Sequence, residues 1–117
     1  MSAKSASRPV LVTGASKGIG KAIATRLSAE RARVMVTGLK NEEAARQTVA
    51  ELTAAGAEAR YLIGDAANAE DVRRLFETTA TELGPVDILV NCAGGFPGRR
   101  TICETAEEEW DRIIDGN

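Results

Sequence analysis

Apolar positions along the chain fall in a repeating order: a short unbroken run, then a stretch in which they recur every three or four residues. Residues 9–13 are the first run, short and continuous, the pattern of a buried strand. Ile19, Ile23 and Leu27, with Ala22 beside them, then return at helical spacing and predict an amphipathic helix reaching about Glu30. Residues 34–37 are a second strand. Asn41 is placed to N-cap a helix that turns Ala45, Val49 and Leu52 inward and that Gly56 ends. Residues 59–63 are a third strand. Asn68 caps the next helix, with Asp71 in the capping-box position, and Val72, Leu75, Phe76, Thr79 and Leu83 form its inner face. Gly84 and Pro85 stop it. Residues 86–91 are a fourth strand, followed by a loop from Cys92 to Cys103 rich in Gly and Arg. Thr105 and Glu108 then form a capping box for a last helix carrying Trp110, Ile113 and Ile114 as packing residues.

The predicted order is therefore βαβαβαβα with no hairpin signal. Strands joined through helices run parallel, because the crossover needs the length of a helix. Continuous apolar strands fit a sheet covered on both faces. Right-handed crossovers make this a doubly wound α/β sheet. Residues 1–8 read as a flexible tail and 9–117 as the folded domain.

Composition narrows the chemistry. The 117 residues make at most one domain, and 15 Lys plus Arg against 17 Asp plus Glu leave a formal charge of −2. That balance argues against nucleic-acid binding, and 3% aromatics give no stacking platform for bases. No apolar run approaches the roughly 18 residues of a membrane span. The N-terminus lacks the apolar core of a secretory signal. Two cysteines, Cys92 and Cys103, make no disulfide framework, so the expected compartment is the reducing cytoplasm. With no nearby cationic activator both read as inert. There is no histidine, which excludes His-dependent triads, His bases and His metal sites. Tyr61 is the only tyrosine, and no lysine follows Lys40.

The first strand–helix junction reads Thr13-Gly14-Ala15-Ser16-Lys17-Gly18-Ile19-Gly20. A helix N-terminus offers free N–H groups and partial positive charge to a phosphate, and glycines let a pyrophosphate approach. The spacing G-x-x-x-G-x-G differs from G-x-G-x-x-G, and no G-K-[ST] follows to make a P-loop. The other use of such a loop is close helix–strand packing alone. The strand before it, the helix after it and the further units behind it favour a cofactor.

These residues resemble the TGxxxGxG motif of the short-chain dehydrogenases/reductases. Asn91-Cys92-Ala93-Gly94 is similar to that family's NNAG motif, Asp65 matches its adenine-contacting acid, and residues 110–117 resemble the segment leading to its catalytic-site asparagine, here Asn117. The likeness runs from about Pro9 to Asn117 and is greatest to 3-oxoacyl-[acyl-carrier-protein] reductase-like members. It implies that residues 9–117 are a partial dinucleotide-binding domain, the N-terminal half of a Rossmann-like α/β sheet with strand order 3-2-1-4, and hydride transfer between a nicotinamide cofactor and a carbonyl or alcohol. It also implies cofactor contacts from Gly14, Ser16, Lys17, Gly18, Ile19 and Gly20. Gly38 and Lys40, Asp65 and Ala66, and Asn91, Ala93 and Gly94 would add contacts after the second, third and fourth strands. Asp65 has a rival role as a turn residue beside Gly64, and Asn91 one as a backbone tie.

Departures from the pattern matter as much. The family's Ser and Tyr-x-x-x-Lys follow its asparagine, and this sequence ends at Asn117. Tyr61 is followed four residues later by Asp65, so no substitute pair exists. Cys92 replaces the second Asn, Gly116 stands at a usually apolar position, and Arg31 stands where a Gly is usual. A non-Gly residue at positive φ there costs on the order of 1 kcal/mol. NAD enzymes place an acid after the second strand, where it would repel a 2′-phosphate. Gly38 occupies that position, with Lys40 and Lys17 nearby, which favours NADP(H); two merely solvated lysines are the competing account. Arg99 and Arg100 fit a solvated loop pair better than an attractor of acidic substrates.

Two functions follow as expectations. One is a truncated, catalytically inactive reductase. The other is a non-catalytic nucleotide-binding or self-assembling half-domain. In both, the fourth strand is an apolar edge blunted only by Asp87, open to a second copy or to a complementing C-terminal fragment.

Overall fold

The computed structural model describes residues 7–94 and 102–116; the expected tail as far as residue 6, Arg99, Arg100 and Asn117 lie outside the described residues. Strands β1 (Pro9–Thr13), β2 (Arg33–Gly38), β3 (Ala59–Ile63) and β4 (Ile88–Asn91) alternate with helices α1 (Gly18–Ala29), α2 (Glu42–Ala54) and α3 (Ala69–Glu82). A 3₁₀ turn at Ile102–Glu104 and helix α4 (Glu107–Gly116) follow. All three strand pairings are parallel, and the sheet order is β3-β2-β1-β4. Val10 pairs with Val34 on one side and Ile88 on the other.

Side chains alternate across the sheet, so Val10, Val12, Val34 and Val36 face one layer and Leu11 and Met35 the other. All six are fully buried. The first layer is closed by Ala24 of α1 with Ala45 and Leu52 of α2, the second by Leu75 of α3 and by Leu83. Helices cover both faces, which is why the central strands read as unbroken apolar runs.

Both expected asparagine caps form. Asn41 Oδ1 accepts the Ala44 N–H at 3.0 Å, and Asn68 Oδ1 accepts that of Asp71 at 2.9 Å. The reciprocal half of the second cap differs from the expectation: the Asp71 carboxylate accepts the N–H of Asp65 at 2.8 Å. It thereby ties α3 to the turn after β3.

The inner faces of α1 and α4 are rotated from those expected, while that of α3 keeps Val72, Leu75, Thr79 and Leu83 and loses only Phe76. On α1 the inward line is Gly20, Ala24 and Leu27, at helical spacing, so Ala22 is exposed and Ile19 is 77% exposed. On α3 the inward line is Leu75 and Thr79, leaving Phe76 at the surface. On α4 Glu109 is buried and Ile113 half-buried, four residues apart, which turns Trp110 and Ile114 outward; Trp110 is not the packing residue expected.

Arg31 follows α1 with φ +68°, its N–H bonded to Ser28 O at 3.0 Å, and Ala32 N–H reaches Leu27 O at 3.1 Å. The left-handed turn anticipated for this position is there without a glycine.

Candidate cofactor site

The loop from β1 to α1 is held from three sides. The Ala15 N–H donates to Thr37 O of β2 at 2.8 Å, and the Thr48 hydroxyl of α2 donates to Ser16 O at 2.9 Å. On the third side Thr13 Oγ1 accepts the N–H groups of Cys92 and Ala93, both at 3.1 Å. The ends of β1 and β4 are thus stapled by one hydroxyl.

The glycines do different work. A Cβ on Gly20 would lie 2.2 Å from Gly14 O, so only glycine lets α1 start against the strand end. Gly18 has φ +63° and open space where its Cβ would be. A ligand can therefore come up to the backbone at Gly18. Lys17, the N-cap residue of α1, is extended and provides no side-chain cap, unlike Asn41 and Asn68 on α2 and α3. The first-turn N–H groups of α1 are left for an anionic group, whose charge the helix dipole favours.

These elements border a cavity of about 600 Å³ at the carboxyl ends of the strands. That size suits a small-molecule site, and the position is the crevice where strand order reverses in open α/β sheets. Gly14, Ser16, Lys17, Gly18, Ile19 and Gly20 line one wall. Gly38, Asp65 and Ala66 line a second, and Ala93 and Gly94 a third. Lys40 and Asn91 are exposed and do not line the cavity; Asn91 pairs in register with Thr13. Asp65 takes the turn role weighed for it, its Oδ1 accepting the Ala67 N–H at 2.8 Å, and the residue also borders the cavity.

Several lining residues escape a motif reading. Thr37, Leu39 and Gly64 sit at or just past strand ends, and position at the carboxyl end of a parallel strand is the signal that finds them. Cys92, taken as inert, is half-buried in the same wall. Arg112 and Ile113 of α4 complete the lining, and Arg112 is the one cation in that helix. Among the described residues no group of His, Cys, Asp and Glu could hold a metal. No helix among them is long and apolar enough to cross a membrane.

Tyr61 stands outside the cavity, its hydroxyl donating to Glu42 Oε1 at 3.0 Å. That bond, then burial and the Glu42 charge, raise its pKa above the ordinary 10.0. The bond belongs to the protonated phenol, so its contribution is present below pH 10 and is lost as pH rises through the folded-state value. With one tyrosine in the chain, phenolate absorbance isolates this group. The wild-type midpoint is expected above that of Glu42→Gln; identical midpoints would remove Glu42 as the cause.

The short chain dehydrogenase family model matches residues 8–117. The short-chain reductase protein NovJ of Streptomyces niveus is 41% identical over 107 residues, covering 92% of this chain and 40% of the relative. A 3-oxoacyl-[acyl-carrier-protein] reductase of Synechocystis is 40% identical over 107 residues, covering 92% and 43%. The crystal structure of a short chain dehydrogenase from Burkholderia cenocepacia in complex with NADP superposes with a TM-score of 0.87 at 36% identity. It covers 95% of this chain and 45% of that one. The chain thus spans about two fifths of the length of the curated relatives it matches.

Proposed function

The chain belongs to the short-chain dehydrogenase family, and on that premise we propose that residues 1–117 are the cofactor-binding part of an NADP(H)-dependent oxidoreductase acting on a carbonyl or alcohol. The observation that carries this is the cavity at the strand ends, bordered by the uncapped α1 terminus and by open space at Gly18. Bound NADPH would supply hydride. Gly14, Ser16, Gly18, Ile19 and Gly20 would hold its diphosphate, with Asp65 and Ala66 at the adenine, and Ala93 and Gly94 would form the floor. Asn117 would belong to the catalytic group by resemblance. The missing Tyr-x-x-x-Lys would have to come from sequence other than these residues.

NADP(H) is preferred over NAD(H) in this proposal because Lys17 borders the cavity and Gly38 puts no acid at the end of β2. Lys40, exposed two residues past Gly38, has the weaker claim. An exposed ion pair is worth about 1 kcal/mol at most, so the preference should be near fivefold. Titration calorimetry is expected to show NADP binding tighter than NAD, with Lys17→Ala abolishing the difference. Equal wild-type affinities would remove the role of the lysine.

The same proposal makes β4 an association edge. It pairs only with β1 among the described residues, and Leu89 is 44% exposed. Unpaired strand edges recruit strands. Sedimentation equilibrium of the 117-residue polypeptide at micromolar concentration is expected to give species larger than 12.3 kDa. A folded monomer throughout would reject pairing between copies.

A further inference from the structure

Helical threonines commonly bond back into their own helix, and three here do so: Thr25 to Lys21 O, Thr79 to Leu75 O and Thr81 to Glu77 O. Thr48 does not. Its hydroxyl leaves α2 and donates to Ser16 O in the loop before α1, at 2.9 Å, and the residue is 1% exposed. A trans peptide points its C=O and N–H in opposite directions. Holding Ser16 O toward α2 therefore aims the Lys17 N–H away from α2. Gly38 of β2 lies beside the same residue, for a Cβ there would stand 3.3 Å from Ser16 Oγ. Lys21 and Glu51 pair at 2.9 Å between the same two helices.

We propose that Thr48 is a positioning residue for the phosphate-binding loop. It fixes the Ser16–Lys17 peptide in the orientation that presents the Lys17 N–H, and with it the start of α1, to an anionic ligand. The proposal rests on the cofactor reading for its ligand, and on the Thr48–Ser16 bond for its mechanism. Through Thr48 the loop is tied to the β2–α2 unit whose strand end would meet the cofactor's ribose, so loop and ribose wall move as one body.

The test compares Thr48→Val, which keeps the shape and loses the donor, with Thr48→Ser, which keeps the donor. Two quantities are read on the 117-residue chain: NADP affinity by calorimetry, and, without nucleotide, amide hydrogen exchange at Ala15, the loop N–H bonded to Thr37 O. Leaving a half-buried carbonyl unpartnered is expected to weaken NADP by about tenfold in Thr48→Val. Exchange at Ala15 should rise while the helix core stays protected. Thr48→Ser should restore both values to near wild type. Should Thr48→Val fail to fold, Thr48→Cys, close in volume and a weak donor, replaces it. Unchanged affinity and unchanged exchange in a folded variant overturn the inference, as does a loss that Thr48→Ser does not rescue. If wild type binds no dinucleotide, the cofactor reading falls, and the exchange at Ala15 still decides whether Thr48 holds the loop.

Discussion

Among the described residues, Gly20→Ala is expected to be one of the most damaging single-methyl changes. The added carbon would sit 2.2 Å from Gly14 O and 2.8 Å from Gly14 C, both backbone atoms. No side chain can rotate aside, so α1 must shift off the end of β1. Overpacking costs about 1–3 kcal/mol, occasionally more, and this contact belongs at the upper end. Against a typical total of about 5–15 kcal/mol this should appear as a large drop in the denaturant midpoint. Gly18 gives the contrast. An alanine there meets nothing within 4 Å, and its cost is the positive φ, about 1 kcal/mol. Yet its methyl would occupy the open side of the loop. Gly18→Ala should fold with a small loss of stability and lose nucleotide binding; Gly20→Ala should lose both. Equal stability losses in the two variants would contradict the division of labour between the glycines.

No oxidation of NADPH above background is expected when residues 1–117 alone are mixed with a panel of ketones. General acid catalysis typically contributes 10²–10⁴-fold, and these residues hold neither a Tyr-x-x-x-Lys pair nor a histidine. Tyr61 is no replacement, because its hydroxyl is engaged with Glu42 and it does not border the cavity. Substrate orientation would be lost as well. A steady-state assay decides. Turnover that purifies with the polypeptide and vanishes in Gly18→Ala would mean that these residues contain a proton donor of another kind.

The fold was legible because the central strands β1 and β2 are buried on both faces and each helix opens at a polar or glycine-rich signal. Runs such as Val34 to Val36 have no other use in a chain this short of aromatics. The two asparagine caps could be placed to the residue, since a cap is a local bond between neighbours. Facing was less legible. Ile19 and Trp110 are apolar at helical spacing and still point out, because the spacing marks a stripe without saying which neighbour covers it. The glycine loop was readable as a motif. Arg112, Ile113 and Thr48 were not, since their part in the site comes from elements remote in sequence meeting at one edge of the sheet. A buried threonine in an amphipathic helix looks from the sequence like a tolerated polar residue.

The Thr13 hydroxyl sets an order of events for the chain as it is made. Its acceptor bonds reach Cys92 and Ala93, 79 and 80 residues onward. β1 and β2 can pair, and the glycine loop can close, long before β4 exists. The floor of the cavity cannot, for it waits on the most distant contact of the sheet. A growing polypeptide therefore presents its phosphate loop without a cavity to serve, until the fourth strand emerges and docks. A dinucleotide that needs that floor binds only the completed sheet, and by mass action stabilises it against global unfolding. Occupancy of the site by the proposed dinucleotide would then mark a completed sheet.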